Sequence, residues 1–500
     1  LQDSIRYYRN KSVEKWAHYV LSDEPERANQ EANQLNNEGH NIWITRSLDM
    51  AKKWAKGHRL GEFRAGLIAS GKGVRLAAEG IRFTDGHSSS GICTPSRYAL
   101  LTGRHHWRDF HGIVNSLGGS VIKPERLTLP EMLKAKGYHT NAIGKWHLGL
   151  DEDYPDLKWH AMYRGFDECF KFTGRGGHGY FDLRSDSEDK FAHPSYRNKQ
   201  RINDEGYLTN RLTEEAVEFI ERNKTRPFFL YLAYNAVHAP AQAPKEDIAR
   251  MQKKFPQLDK KRAILMAMLH HLDLGVGAVV KKLKDEGLWE NTLLFFLTDN
   301  GGAKAMNANN GILRGFKGSL YEGGIRTPWV VSWPAKFSGG RTIDAPVISL
   351  VILPTAIDAL GAKGVAKRVF DGKSLLPLLM GKSTVHHPVL YWNSGEPKGE
   401  WAVREGNWKA HGFKQKYELY DLASDPSEKT DLAAKRPELA RRLAKRHETW
   451  LAEMVQSAGK SNVTWPRDRA TAEEPKPKDA AREKKRAARR KARQRQNKIK

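Results

Sequence analysis

Three stretches of this chain are almost unbroken apolar runs that stop at polar or charged residues. Pro227-Phe-Phe-Leu-Tyr-Leu-Ala-Tyr234 leads to His238, Thr292-Leu-Leu-Phe-Phe-Leu-Thr298 leads to Asp299 and Asn300, and Thr327-Pro-Trp-Val-Val-Ser-Trp333 is the third. A shorter run, Thr140-Asn-Ala-Ile-Gly144, leads to Lys145 and His147. Continuous apolar runs of strand length suit strands covered on both faces, which requires helices on either side of a sheet. Helical patterns fit between them at 129–136, 208–222 and 261–286, and 345–360 reads as a buried strand and helix broken by Pro354. The pattern predicts an α/β fold. Open α/β sheets bind ligands at the carboxyl ends of their strands, so one rim should collect these polar residues although they lie far apart in sequence.

From about Val385 the texture changes. Val389-Leu-Tyr-Trp392, Trp401-Ala-Val-Arg404, Trp408-Lys-Ala410 and Tyr417-Glu-Leu-Tyr420 alternate with turns, and an amphipathic stretch follows at 437–457. This reads as a small antiparallel sheet closed by a helix. The expected division is a non-matching N-terminal segment at 1–74, a catalytic domain at 75–384, a C-terminal subdomain at 385–465 and a basic tail at 466–500. Within that tail, residues 476–500 hold thirteen Lys and Arg and two acids, so they carry +11 of the net +26. A block so poor in apolar residues is expected to be disordered, serving either as a polyanion contact or as a solubilising tail. Two cysteines, Cys93 and Cys169, exclude a disulfide framework. No apolar run reaches the roughly 18 residues of a membrane helix, and no signal-peptide pattern follows Leu1.

The run Gly91-Ile-Cys-Thr-Pro-Ser-Arg-Tyr-Ala-Leu-Leu-Thr-Gly-Arg104 resembles the signature of the type I sulfatases. Further motifs of that family follow in order: Gly144-Lys-Trp-His-Leu-Gly149, Val237-His-Ala-Pro240, Asp299-Asn-Gly-Gly302, and Gly315-Phe-Lys-Gly-Ser-Leu-Tyr-Glu-Gly-Gly324. Glu418-Leu-Tyr-Asp-Leu-Ala-Ser-Asp-Pro426 is similar to the family's C-terminal subdomain. The resemblance runs from about residue 75 to about 459. It implies an alkaline-phosphatase-like sandwich, with a large central mixed sheet flanked by helices and a small C-terminal antiparallel sheet. It also implies an exported protein, periplasmic or extracellular, acting on a sulfated carbohydrate or aryl sulfate.

The same resemblance assigns roles. Cys93 would be oxidised by a formylglycine-generating enzyme to an aldehyde that adds water to give a geminal diol. One hydroxyl attacks sulfur and the other later expels sulfate, which divides one hard step into two. Arg97 would steady the diol, Lys145 would hold the diol or sulfate oxygens, and His147 would assist proton movement. His238 is the candidate general acid for the leaving oxygen, and Lys317 would contact the sulfate. Asp299 and Asn300, with the converted Cys93, would hold a hard cation, Ca²⁺ or Mg²⁺. Taken singly these residues have plainer readings: a Lys and a His in a Gly-flanked loop are ordinary surface residues, and Asp-Asn-Gly is good turn chemistry.

The N-terminus departs from the family pattern. The family begins with a strand ending in two adjacent aspartates, the other half of the metal site. Here Asp3, Asp23, Asp49 and Asp85 stand apart, and Asp85, in Phe83-Thr-Asp-Gly-His87, occupies a position that is not a ligand in the family. Trp43-Ile-Thr-Arg-Ser-Leu-Asp-Met-Ala-Lys-Lys-Trp54 and Arg64-Ala-Gly-Leu-Ile-Ala-Ser70 resemble a fragment of a Schlafen-like P-loop ATPase. In Gly66-Leu-Ile-Ala-Ser-Gly-Lys-Gly73 the last glycine replaces the hydroxyl that would bind Mg²⁺, so nucleotide binding is not expected. A cation left with Asp299 and Asn300 has too few anionic ligands, which predicts weak Ca²⁺ binding and little turnover. Two other outcomes are phosphomonoester or phosphonate hydrolysis on the same fold, and a polyanion-binding pseudoenzyme.

Overall fold

The computed structural model describes residues 73–110, 120–149, 160–172, 179–181, 183, 195–362, 370–394, 399–413 and 416–458. Residues 1–72, residues 173–178 and the basic tail lie outside it. So do the Schlafen-like stretches and nearly all of the glycine-rich match at 66–73.

The described strands, in chain order, are β1 Ile81–Phe83, β2 Gly86–His87, β3 His139–Gly144, β4 Glu168–Phe172, β5 Ser195–Arg197, β6 Gln200–Ile202, β7 Phe228–Ala233, β8 Leu294–Leu297, β9 Trp329–Ser332, β10 Arg341–Ile343, β11 Val347–Ile348, β12 Val389–Asn393, β13 Glu400–Glu405, β14 Trp408–Phe413 and β15 Lys416–Asp421. Two sheets carry the main body, in the orders β6-β5-β4-β3-β7 and β10-β1-β9-β8. β3 is parallel to both β4 and β7, whereas β9 runs antiparallel to β1 and β8. The expected strand at 140–144 is β3, extended by His139. The helix expected over 129–136 is Leu129–Lys134, opened by a capping box in which Thr128 and Glu131 satisfy each other's backbone N–H. It stops before Gly137, whose φ of 84° turns the chain into β3.

Helices cover both faces, as the apolar runs require. Leu208–Asn223 and Lys260–Asp285 pack on one side with Leu230 and Leu232 of β7 and Leu294 and Phe296 of β8. The other side, built around Cys93–Thr102 and Ile352–Ala359, takes Phe229, Tyr231, Phe295 and Leu297. Lys260–Asp285 is long and apolar enough to cross a membrane by length and composition, but half of its apolar window is buried against the protein, as in a core helix.

The C-terminal sheet is the antiparallel meander β12-β13-β14-β15, closed by the helix Pro437–Ala458. Trp401, Val403, Ala410, Leu419 and Leu443 form its core. A buried ionic cluster joins it to the main body. Asp85 accepts from Arg404, Glu322 pairs with Lys409 at 2.9 Å, and Glu428 pairs with Lys409 at 2.8 Å.

Candidate active site

The helix Cys93–Thr102 begins at Cys93, and the sequence explains why. Ile92 is extended, and Pro95 sits in the first turn, where a missing N–H costs nothing. Gly103, left-handed at φ 64°, ends the helix. Cys93 and Arg97 lie four residues apart and therefore share a face. Cys93 is only 1% exposed. Its place at a helix N-terminus puts the positive end of the helix dipole beside it.

Arg97 is the hub of the site. Its Nε and Nη2 donate to Asp299 Oδ2 at 2.9 and 2.7 Å. Its Nη1 donates to the Lys145 carbonyl at 2.8 Å and to the Tyr231 hydroxyl at 3.2 Å. One side chain thereby ties together the carboxyl ends of β3, β7 and β8. Asp299 keeps about a quarter of its side chain exposed, and Arg97, Lys145 and Lys317 hold its carboxyl below the usual range against the effect of burial. Burial, opposed by attraction to Cys93 and Asp299 and aided by repulsion from Arg97 and Lys317, lowers Lys145.

The glycines of the motifs bring these loops into contact. Gly144, at φ 95°, lies so close to the Ala233 carbonyl that a Cβ would collide with it, and Lys145 N–H donates to that carbonyl at 2.8 Å. Gly301 packs with similar tightness on the Gly323 carbonyl. Lys317 N–H then donates to Gly302 at 2.9 Å, and Gly318 N–H to Gly91 at 2.8 Å, which seats the lysine loop beside the start of the cysteine helix. His147 is left-handed at φ 59°, and its carbonyl accepts from Thr94 Oγ1 at 3.1 Å. His238 Nδ1 donates to the Ala239 carbonyl at 3.0 Å, which leaves Nε2 as the atom for a transferred proton. Burial and the nearby Lys145 and Lys317 lower His238 to about 4, so it is neutral near pH 7.

Asp299 and Asn300 fit a hard cation. Both Arg97 contacts fall on Asp299 Oδ2, and Asn300 Oδ1 is buried with no hydrogen-bond partner in the protein, while its Nδ2 donates to the Gly301 carbonyl. They supply only two of the six to eight oxygens that Ca²⁺ usually takes. A second group, Asp85, His87 and Glu322, brings three ligand atoms within 4.8 Å of one another. Its acids already face Arg326, Arg404 and Lys409, so their oxygens are engaged and their charge is balanced without an ion. Sequence reading passed over Tyr231 and this ionic cluster. The tyrosine had one available signal, a hydroxyl within an otherwise Phe and Leu strand. The cluster had none, since its members are separated by up to 343 positions, from Asp85 to Glu428.

Known proteins similar to this chain point to one family and one fold. The sulfatase family model matches residues 69–362, and a model described as the C-terminal part of N-sulphoglucosamine sulphohydrolase matches 316–454. An uncharacterized sulfatase of Escherichia coli K12, YdeN, is 33% identical over 331 residues, covering 64% of this chain and 58% of that protein. N-acetylgalactosamine-6-sulfatase of Canis lupus familiaris is 31% identical over 364 residues, covering 67% and 66%. The chain thus spans less than two thirds of the length of either relative. The crystal structure of Ps i-CgsB in complex with k-i-k-neocarrahexaose superposes with a TM-score of 0.71 at 31% identity, covering 80% of this chain and 92% of that one. Phosphonate monoester hydrolase of Agrobacterium radiobacter shares the fold, with a TM-score of 0.55 at 18% identity. The architecture is the alkaline-phosphatase-like α/β sandwich, and the chain belongs to the sulfatase family.

Proposed function

We propose that this chain is built to hydrolyse sulfate esters of a carbohydrate or aryl alcohol, with Cys93, after oxidation to formylglycine, as the nucleophile. The observation that carries the reading is the placement of Cys93 at a helix start, on the same face as Arg97, with Asp299 and Lys145 bound around that arginine. The hydrated aldehyde supplies a hydroxyl to attack sulfur and a second whose deprotonation expels sulfate.

The other residues answer the charge problem of the ester. Lys145 and Lys317 neutralise the sulfate oxygens, aided by the helix N-terminus at Cys93. Arg97 spends four of its five N–H donors on Asp299, Lys145 and Tyr231, so it positions the site instead of gripping the substrate. His238 would carry the proton for the leaving oxygen at Nε2, which is bare in the free site because the neutral ring's one proton sits on Nδ1. It needs the negative charge of a bound ester to raise its proton affinity, because in the free site it is neutral. His147 stands at the start of the cysteine helix, where it can assist proton movement at the nucleophile. Asp299 and Asn300 would hold Ca²⁺ or Mg²⁺, which would polarise the sulfate and the nucleophile. Among the described residues, the converted Cys93 would complete this half of the cation site beside Asp299 and Asn300.

A carbohydrate ester as substrate is supported by the relatives. One is named an N-acetylgalactosamine-6-sulfatase, and one similar structure is a complex with k-i-k-neocarrahexaose. The test compares kcat/KM for an aryl sulfate and an aryl phosphate, with and without Cys93→Ala, in chain co-expressed with a formylglycine-generating enzyme. Preference for sulfate, abolished by the substitution, supports the reading. Preference for phosphate, or turnover unchanged in a folded Cys93→Ala variant, refutes it.

A further inference from the structure

We infer that the rim beside Lys317 continues into a basic surface track that binds a sulfated polysaccharide chain beyond the sugar unit held at Cys93. The inference rests on the proposed hydrolysis of a carbohydrate sulfate and adds a second contact region to it. Lys253, Lys254, Lys260, Lys261, Arg262 and Lys304 form the track. Residues 253–262 hold five cations and one acid, and residues 300–321 hold Lys304, Arg314 and Lys317 and no acid. Lys253, Lys254, Lys260, Lys261 and Lys304 are exposed. Lys253, Lys260, Lys261 and Lys304 make no ion pair with a described residue.

The fold brings these two segments together at the active-site rim. The Gly302 carbonyl accepts the backbone N–H of Lys317 at 2.9 Å. Lys304, two residues further on, therefore has its Cα within about 7 Å of Gly302. The turn Lys304–Met306 is fastened in turn to the start of the helix Lys260–Asp285. Arg262 Nη1 donates to the Asn307 carbonyl at 3.0 Å, and Asn307 Nδ2 donates to Asp259 Oδ2 at 2.7 Å. Asp259 Oδ1 caps the helix by accepting from the Arg262 N–H at 2.9 Å. The one acid of the track thus has both oxygens engaged in fixing its shape. The helix Lys245–Lys254 ends in Lys253 and Lys254, and the Leu258 N–H donates to the Phe255 carbonyl as the chain turns into that cap. The N-terminus of the 26-residue helix adds its own positive end to the same surface.

The chemistry of the surface selects the occupant. Lysine ammonium groups are compact point charges with rotatable donors, which suits sulfate esters whose spacing along a sugar chain varies. A single-stranded nucleic acid needs aromatic faces on which its bases stack, and a membrane surface needs an apolar anchor. Residues 253–262 and 300–308 contribute no exposed large hydrophobic side chain. Phe255, the one aromatic residue among them, is half-buried, with Lys254 Nζ 5.4 Å from its ring centroid. The track also adjoins the loop that carries Lys317. A chain with its reacting unit at Cys93 can therefore lay neighbouring sulfated units along it.

The experiment uses the full chain and two probes, a sulfated dextran oligosaccharide and an oligothymidylate of equal charge. Lysine acetylation read by peptide mass spectrometry locates the contact. The sulfated dextran should slow acetylation of Lys253, Lys260, Lys261 and Lys304 and leave the exposed Lys382 and Lys435 unchanged. A variant carrying Lys253→Gln, Lys260→Gln, Lys261→Gln and Lys304→Gln should bind the dextran about tenfold or more weakly. Its slope of log affinity against log salt should be smaller by about 3, since each neutralised anion releases about 0.7 of a counterion. The cations of 476–500 are present in both chains and cancel from that difference. Protection confined to 476–500, equal protection of Lys382 and Lys435, or an unchanged salt slope overturns the proposal. Binding of the oligothymidylate to the same lysines with equal or higher affinity also overturns it. A footprint without sulfate hydrolysis upholds the track and refutes the active-site reading, whereas hydrolysis without the footprint does the reverse.

Discussion

Replacing Lys409 by Met tests whether the buried ionic cluster holds the lysine loop of the active site to the C-terminal sheet. Lys409 is fully buried in β14 and bonds Glu322 at 2.9 Å and Glu428 at 2.8 Å. Methionine keeps the volume and removes the charge. Glu322 retains His87 at 3.2 Å and Arg326 at 3.6 Å, whereas Glu428 retains the backbone N–H of Glu322. Removing one partner of a buried pair typically costs about 3–5 kcal/mol. Glu428 can escape part of that cost. Burial already raises it to about 7, with Lys409 opposing, so without the lysine it should stay protonated. We therefore expect a loss of about 3 kcal/mol near pH 6, at the lower end of that range. Above pH 7 the wild type ionises Glu428 while the variant must hold it neutral, so the loss should grow by about 1.4 kcal/mol per pH unit. Urea unfolding followed by tryptophan fluorescence at pH 6, 7 and 8 measures both numbers. A loss under about 1 kcal/mol, or one that shrinks from pH 7 to 8, would refute the argument.

Other outcomes follow from the site. His238→Ala should lower kcat/KM on alkyl sulfates about 10²- to 10⁴-fold, with far less effect on aryl sulfates of acidic phenols; equal losses would argue for a binding role. Tyr231→Phe removes one of the bonds that orient Arg97, and we expect kcat to fall about tenfold with KM unchanged; a change confined to KM would contradict positioning. Acid should destabilise the fold before its carboxylates titrate. Burial lowers His105, His238 and His447 to about 4 and His387 to about 3, so the unfolded chain binds protons that the folded chain refuses between about pH 6.5 and 4. Stability is thus lost as pH falls through that window, by up to about 3 kcal/mol per histidine. Glu428 acts in the opposite direction. A urea midpoint that rises from pH 7 to pH 5 would contradict the sign.

Much of the fold was legible because apolar runs and helical periodicity are local signals. β7, β8 and β9 each fall within their predicted runs, and Lys260–Asp285 differs from expectation by one residue at each end. The polar residues expected to share a rim also meet, since Arg97 joins Lys145, Tyr231 and Asp299. Long-range pairing was not legible. Nothing local says that Arg404 on a C-terminal strand will bond Asp85, or that β3 will pair with both β4 and β7. Such facts depend on topology and on which backbone edges find partners. The neutral state of His238 was hidden for a related reason, because it arises from burial and from two lysines on other loops.

The most direct test of the central claim is the chemical state of residue 93. Cys93 is 1% exposed in the folded chain, so a maturase must reach it before folding closes the site. The full chain should be co-expressed with a formylglycine-generating enzyme, digested, and the peptide containing Cys93 analysed by mass spectrometry with hydrazide capture. We expect an aldehyde at residue 93 that the hydrazide captures, and none when Cys93 is replaced by Ala. A free thiol at Cys93, under conditions that convert a control sulfatase, would contradict the account.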